Sequence, residues 1–177
     1  MDKENQPINL NKPIVLIGFM GVGKTTVGQL LAQNLETDFI DLDQAVEAEE
    51  GLKISQIFAR FGEAHFRELE RRALRRLMLD RKKQVIALGG GAYLQDEIRK
   101  LCLKESQVIF LNISWVEWLK RLNKLRSTRP LLKNNDLTGI KRLYDQRLPV
   151  YSTAPIQIKT DGLTPQQVVQ KIMVQLK

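Results

Sequence analysis

Cysteine occurs once in the 177 residues, at Cys102, and histidine once, at His65. A single thiol excludes a disulfide within the chain and any cysteine-clustered zinc site, and it makes a reducing cytoplasm the simplest setting. His65 falls in a helical stretch and is expected to lie exposed, outside the chemistry. Aromatic residues make up only 6% of the chain. No aromatic-rich strand of the kind an RNA-binding sheet requires is found. No apolar run reaches the roughly 18–20 residues of a membrane span, so no membrane association is expected. Met1–Lys12 is polar and lacks the apolar centre of a secretory signal. Internal repeats and low-complexity segments are also missing.

A hydrophobic share of 43% with 27% charged residues is ordinary for a soluble globular chain of one domain. The charge is less ordinary, with 28 basic and 20 acidic residues giving a net +8. Such an excess suits either a nucleic-acid surface or a site built for several negative charges. Arg71, Arg72, Arg75 and Arg76 stand at helical spacing beside Leu74, Leu77 and Met78, as on a solvated helix face. No nucleic-acid partner is therefore expected, and the chain is expected to act as a monomer.

Residues 1–12 have little to pack and read as a flexible arm, with one domain over 13–177. Short apolar runs at Pro13–Ile17, Asp38–Leu42, Gln84–Leu88, Gln107–Leu111 and Ile156–Ile158 read as strands. Helical patterns alternate with them: Lys24–Leu35, Asp43–Glu50, a long one over about Ile54–Arg81, Gln95–Leu103, Ser114–Leu125 and Leu137–Tyr151. A last helix follows Thr164 as N-cap and Pro165 as first helical residue. Alternating strands and helices predict a parallel sheet covered on both faces. Leu125–Asn135 breaks the alternation: it is basic, contains Pro130 and lacks periodicity, which predicts a loop and a candidate lid.

Gly18-Phe19-Met20-Gly21-Val22-Gly23-Lys24-Thr25 fits the Walker A pattern, between an apolar strand and an amphipathic helix. The glycines let the backbone curl so that successive N–H groups of Gly21, Val22 and Gly23 face a phosphate, and the helix directs its positive end at the same anion. Lys24 is expected to reach the β- and γ-phosphates of ATP, with Thr26 beside them, while the Thr25 hydroxyl ligates Mg²⁺.

A phosphate loop of this kind usually works with a carboxylate near the cation. The run Val85–Leu88 ends in Gly89, Gly90 and Gly91, which supply no acid but allow close backbone approach to a ligand. The acid is instead expected in Phe39-Ile40-Asp41-Leu42-Asp43, where Phe39, Asp41 and Asp43 share one side of an extended chain. Asp41 would support Mg²⁺ or its waters. Asp43 would either accept a substrate proton or cap the following helix.

Three arginines complete the pattern. Arg67 lies four residues after Glu63 and three before Glu70, which would either orient its guanidinium or form a plain surface ion pair worth ~0–1 kcal/mol. Arg129 stands in the lid candidate, where it would close over a transferring phosphoryl group. Arg147 lies near the end of its helix, where the helix dipole also favours a cation.

These residues in this order resemble the shikimate kinase family over about Lys12–Lys177. The features that carry the resemblance are the phosphate loop through Thr26, Asp41-Leu42-Asp43, and Gly62-Glu63 with Phe66-Arg67 and Glu70. Gly89-Gly90-Gly91-Ala92, Arg129-Pro130-Leu131-Leu132, and Arg147 with Pro149 and Tyr151 follow. The resemblance implies a three-layer α/β/α P-loop kinase fold on a five-stranded parallel sheet of order 2-3-1-4-5. It implies ATP-dependent phosphorylation of the shikimate 3-hydroxyl in chorismate and aromatic amino-acid biosynthesis. Asp43 would then hold substrate hydroxyls and act as base, with Asp41 near the magnesium. Arg67 and Arg147 would grip the substrate carboxylate, Gly90 would hydrogen-bond the substrate through its backbone, and Arg129 would touch the ATP phosphates. Arg121 and Arg126 both fit the family's adenine-contacting arginine, with the loop Thr160–Thr164 passing nearby. Rival readings are a gluconate or nucleoside monophosphate kinase and, from a different class, a basic nucleic-acid-binding ATPase.

Overall fold

The computed structural model describes residues 11–80, 82–126 and 137–176. Residues 1–10 of the expected arm and most of the lid candidate, Arg129 included, lie outside the described residues. The apolar runs form five parallel strands: β1 (Ile14–Ile17), β2 (Asp38–Asp41), β3 (Gln84–Ala87), β4 (Gln107–Asn112) and β5 (Ile156–Lys159). Their order is β2-β3-β1-β4-β5. β1 and β3 are buried along their whole length, as expected of strands covered on both faces, whereas the edge strands β2 and β5 are partly exposed. Register is direct, with Leu16 beside Ala87 in β3 and beside Ile109 in β4.

Helices cover both sides of the sheet. They are α1 (Lys24–Asn34), α2 (Leu42–Glu50), α3 (Ile54–Leu79), α4 (Asp96–Glu105), α5 (Trp115–Arg126), α6 (Leu137–Tyr151) and α7 (Pro165–Gln175). α1 packs on α7 and on β2 and β3, while α4 packs on α3 and β4. The cap of α7 forms as its residues predict: Thr164 Oγ1 accepts from Gln167 N and Gln167 Oε1 accepts from Thr164 N. No described helix is long and apolar enough to cross a membrane.

Two expectations change in detail. β2 ends at Asp41 and α2 begins at Leu42, so Asp43 sits in the first turn of a helix and not on an extended chain. The long helix α3 is broken at Gly62, whose φ of 80° and ψ of 174° no helical residue adopts and glycine tolerates. The residues before this break form a short helical piece over the site, and those after it continue into the body of the domain.

Arg71, Arg72, Arg75 and Arg76 of α3 each meet a glutamate: Arg71 with Glu68, Arg72 with Glu50, Arg75 with Glu97 and Arg76 with Glu49. The basic face expected from sequence is thus charge-balanced locally. His65 is exposed and lies against the Phe61 ring, 5.0 Å between centroids.

The order of strands fixes where a ligand can sit. β1 leaves the sheet toward β2, and its neighbour β3 leaves toward β4, so the connections at their carboxyl ends diverge and open a crevice. Gly18–Gly23 follows β1 and Gly89–Gly91 follows β3 at that edge, and Asp41 ends β2 beside them.

Candidate functional site

The crevice holds three adjoining cavities. The first, about 520 Å³, is lined by Gly21, Val22, Gly23, Thr26, Arg121 and Pro165 among others. The second, about 250 Å³, takes in Lys24, Thr25, Thr26, Asp41 and Asp43. The third, about 220 Å³, is lined by Asp43, Phe66, Arg67, Glu70 and Arg147. Met20, Asp43, Gly89 and Gly90 border both the second and the third. The cavities therefore form a path from the phosphate loop, past Asp43, to the arginines.

The loop after β1 is shaped by glycines at positive φ: Gly18 at 149°, Gly21 at 75° and Gly23 at 104°. Side chains then tie its carbonyls. Lys24 Nζ donates to Gly18 O at 2.8 Å and to Phe19 O at 3.3 Å. Trp118 Nε1 donates to Met20 O at 2.8 Å, and Arg121 Nη1 to Val22 O at 3.2 Å. Trp118 is fully buried, in an aromatic cluster with Phe19, Trp115 and Tyr144. Its role in holding the loop was not legible in sequence, because 98 residues separate donor from acceptor. Of the two candidates for the adenine-contacting arginine, Arg121 is among the residues that line the first cavity, as is Pro165.

Asp41 serves two neighbours with two oxygens. Its Oδ1 caps α2 by accepting from Asp43 N at 3.1 Å and Gln44 N at 3.3 Å, while Oδ2 accepts from Thr25 Oγ1 at 3.2 Å. Asp41, and not Asp43, is the helix cap, which leaves the Asp43 side chain turned toward Gly89. A Cβ built on Gly89 would stand 2.6 Å from Asp43 Oδ1.

Arg67 is held from both sides. Glu63 Oε1 accepts from its Nε at 3.2 Å and its Nη2 at 2.9 Å, and Glu70 Oε2 accepts from its Nη1 at 2.7 Å. Glu63 is largely exposed, but Glu70 is 1% exposed, so the pair is not the plain surface ion pair that sequence left open. Burial pushes the Glu70 carboxyl up to about 7; Arg67 opposes that shift and Asp43 adds to it. Burial would lower Arg67, but its two carboxylate partners outweigh that and raise it. Gly91 admits the guanidinium: a Cβ there would stand 2.6 Å from Arg67 Nη2.

Arg147 approaches from α6, where a Cβ on Gly90 would lie 3.0 Å from its Nη1. The neighbouring Tyr151 hydroxyl donates to Gly90 O at 2.5 Å, and burial raises its pKa. Each glycine of the run after β3 thus faces a different functional side chain. Gly21, Val22, Gly23, Lys24, Thr25, Thr26, Asp41, Asp43, Arg67, Gly89, Gly90, Gly91 and Arg147 all line this one crevice, and Arg129 lies outside the described residues.

A family model described as shikimate kinase matches residues 20–177. A shikimate kinase of Bacillus pumilus (strain SAFR-032) is 43% identical, the match covering 93% of this chain and 89% of that one. The solved structure of the shikimate kinase from Acinetobacter baumannii in complex with shikimate superposes with a TM-score of 0.84 at 36% identity, covering 93% of this chain and 92% of that one. A gluconokinase from Sinorhizobium meliloti 1021 reaches a TM-score of 0.58 at 16% identity over 95% of this chain and 93% of its own, a likeness of fold alone. The family match over nearly the whole domain, together with curated relatives near 40% identity, leaves one conclusion: the chain belongs to the shikimate kinase family.

Proposed function

We propose that this chain transfers the γ-phosphoryl group of ATP to the 3-hydroxyl of shikimate, giving shikimate 3-phosphate and ADP. The observation that carries the reading is the position of Asp43, whose carboxyl borders both the cavity of Lys24 and Thr25 and the cavity of Arg67 and Arg147. A hydroxyl held by Asp43 has the phosphate loop on one side and two cations on the other. Arg67 and Arg147 grip the acceptor's carboxylate, and Gly89, Gly90 and Gly91 let it approach the backbone. The first cavity takes the nucleoside, with Arg121 along one wall.

Lys24 and Arg129 stabilise charge on the transferring phosphoryl group, while Asp43 orients the attacking hydroxyl and accepts its proton. The residues present also fit Mg²⁺. Thr25 Oγ1 and Asp41 Oδ2 are hard oxygen donors 3.2 Å apart in the phosphate cavity. Among the described residues no three His, Cys, Asp or Glu side chains converge as a metal cage, so the ion would complete its shell with waters and phosphate oxygens. Thr25 would hold it directly and Asp41 through water, and it would neutralise charge between the phosphates.

An assay of ADP release tests the reading, with shikimate, gluconate and nucleoside monophosphates offered in turn. ADP release that depends on shikimate is the expected result; release driven equally by gluconate would refute it. Asp43→Asn should lower kcat by on the order of 10²–10⁴, the usual worth of a positioned base. Near-normal kcat in that variant would remove Asp43 from the role.

A further inference from the structure

We propose that Gln95, anchored by Arg71, is a positioning residue for the acceptor end of the site: it fixes Glu70 in the arrangement that aims Arg67 at the substrate carboxylate. The inference rests on the reading of Arg67 given above. Gln95 Nε2 donates to Glu70 Oε2 at 2.9 Å, the same oxygen that accepts from Arg67 Nη1 at 2.7 Å. Behind it, Arg71 Nη1 donates to Gln95 Oε1 at 2.7 Å.

The direction of this relay is dictated by chemistry. A guanidinium can only donate, so Arg71 claims the amide oxygen of Gln95 and leaves its NH₂ for Glu70. The carboxylate of Glu70 can only accept, and it takes both donors on Oε2. Its Oε1 is buried with no hydrogen-bond partner among the described residues. Two donors on a single oxygen fix where the carboxylate sits, and hence where Arg67 is drawn.

The choice of glutamine supports the role. Gln95 occupies the N-cap position of α4, where Ser, Thr, Asp or Asn would satisfy the first helical N–H groups. Its side chain makes no cap hydrogen bond and reaches across to α3 instead. A longer amide at that position sacrifices the cap and gains the bridge.

The charged groups around Glu70 explain why a bridge matters. Arg67 and Glu63 face it from α3, Asp43 from α2, Gln95 with Arg71 from behind, and Arg147 of α6 lines the same cavity. Burial and Asp43 favour the neutral acid, whereas Arg67 and Gln95 favour the carboxylate. Removing Gln95 therefore favours the neutral acid further and weakens the hold of Glu70 on Arg67.

Steady-state rates of the wild type, Gln95→Ala, Arg71→Ala and the double variant test the proposal, with shikimate and with its neutral carboxamide as acceptors. Gln95→Ala is expected to raise the KM for shikimate about ten-fold, the loss of one hydrogen bond to a charged group, with the KM for ATP within about two-fold. The acid limb of its kcat/KM profile for shikimate moves to higher pH. Arg71→Ala shifts the same quantities less, and the double variant is no worse than Gln95→Ala, because both act through one contact. The wild type's preference for the carboxylate over the carboxamide shrinks by a similar factor in Gln95→Ala. A variant that keeps the full preference and the original acid limb overturns the role of Gln95 while leaving that of Arg67 standing. Equal rises in both KM values mean general loosening and also overturn it. A wild type without any preference removes the reading of Arg67, and the role of Gln95 with it.

Discussion

Alanine at Gly91 would add one methyl group and little else, which makes it a clean probe of the acceptor site. Gly91 has φ −101° and ψ −15°, a conformation that any L residue adopts, so the backbone is not strained. The new Cβ would stand 2.6 Å from Arg67 Nη2 and 2.9 Å from Nη1. Ordinary contact begins at about 3.4 Å, so the guanidinium must retreat by roughly 0.8 Å. It cannot retreat freely, because Glu63 and Glu70 hold it by three hydrogen bonds. Hydrogen bonds to charged groups are worth ~1.5–3 kcal/mol each, and a displacement near 1 Å can cost up to ~10²-fold in a positioned site. The KM for shikimate should therefore rise by roughly 10–100-fold, while the KM for ATP stays within about two-fold. Urea unfolding should show a loss of ~1–3 kcal/mol as Glu70 loses its best partner. Shikimate titrations in a coupled ADP assay measure the first quantity. A KM for shikimate indistinguishable from wild type would refute the assignment of Arg67 to the acceptor.

Gly89→Ala places a methyl 2.6 Å from Asp43 Oδ1, so it should lower kcat by at least ~10-fold, measured at saturating shikimate and ATP. Trp118→Phe removes the bond to Met20 O and leaves part of the buried indole's space unfilled; a stability loss of ~1–3 kcal/mol in urea, with a higher KM for ATP, is expected. Glu70 gives stability a pH dependence. Its folded pKa of about 7 lies above the ordinary 4.5, so the folded state holds the proton more tightly. That contribution is complete below about pH 4.5 and is lost as pH rises through 7, on the order of 3 kcal/mol in all. Unfolding free energies measured from pH 4.5 to 8 should fall more steeply in the wild type than in Glu70→Gln, and parallel curves would contradict the assignment.

The alternation of strands and helices was written in local patterning. Ile14–Ile17 and Val85–Ala87 are apolar throughout because both faces of those strands are covered, and such runs announce a parallel sheet without any tertiary information. The phosphate loop was equally legible, since Gly18, Gly21, Gly23, Lys24 and Thr25 act within eight consecutive residues. The chemistry of Asp41, Asp43, Arg67 and Arg147 could be nominated from residue type and order, but their convergence could not. That depended on β1 and β3 lying side by side at the point where their connections diverge. Packing also decided which acid caps α2, since β2 ends one residue earlier than its hydrophobicity suggests, and Asp41 rather than Asp43 meets the free N–H groups. It buried Glu70 and so turned an ordinary helical Glu–Arg spacing into a clamp. The Trp118–Met20 bond and the Arg71–Gln95–Glu70 relay join residues 98 and 24 to 25 positions apart. No local periodicity records such contacts, because each exists only once the helices are laid against the sheet.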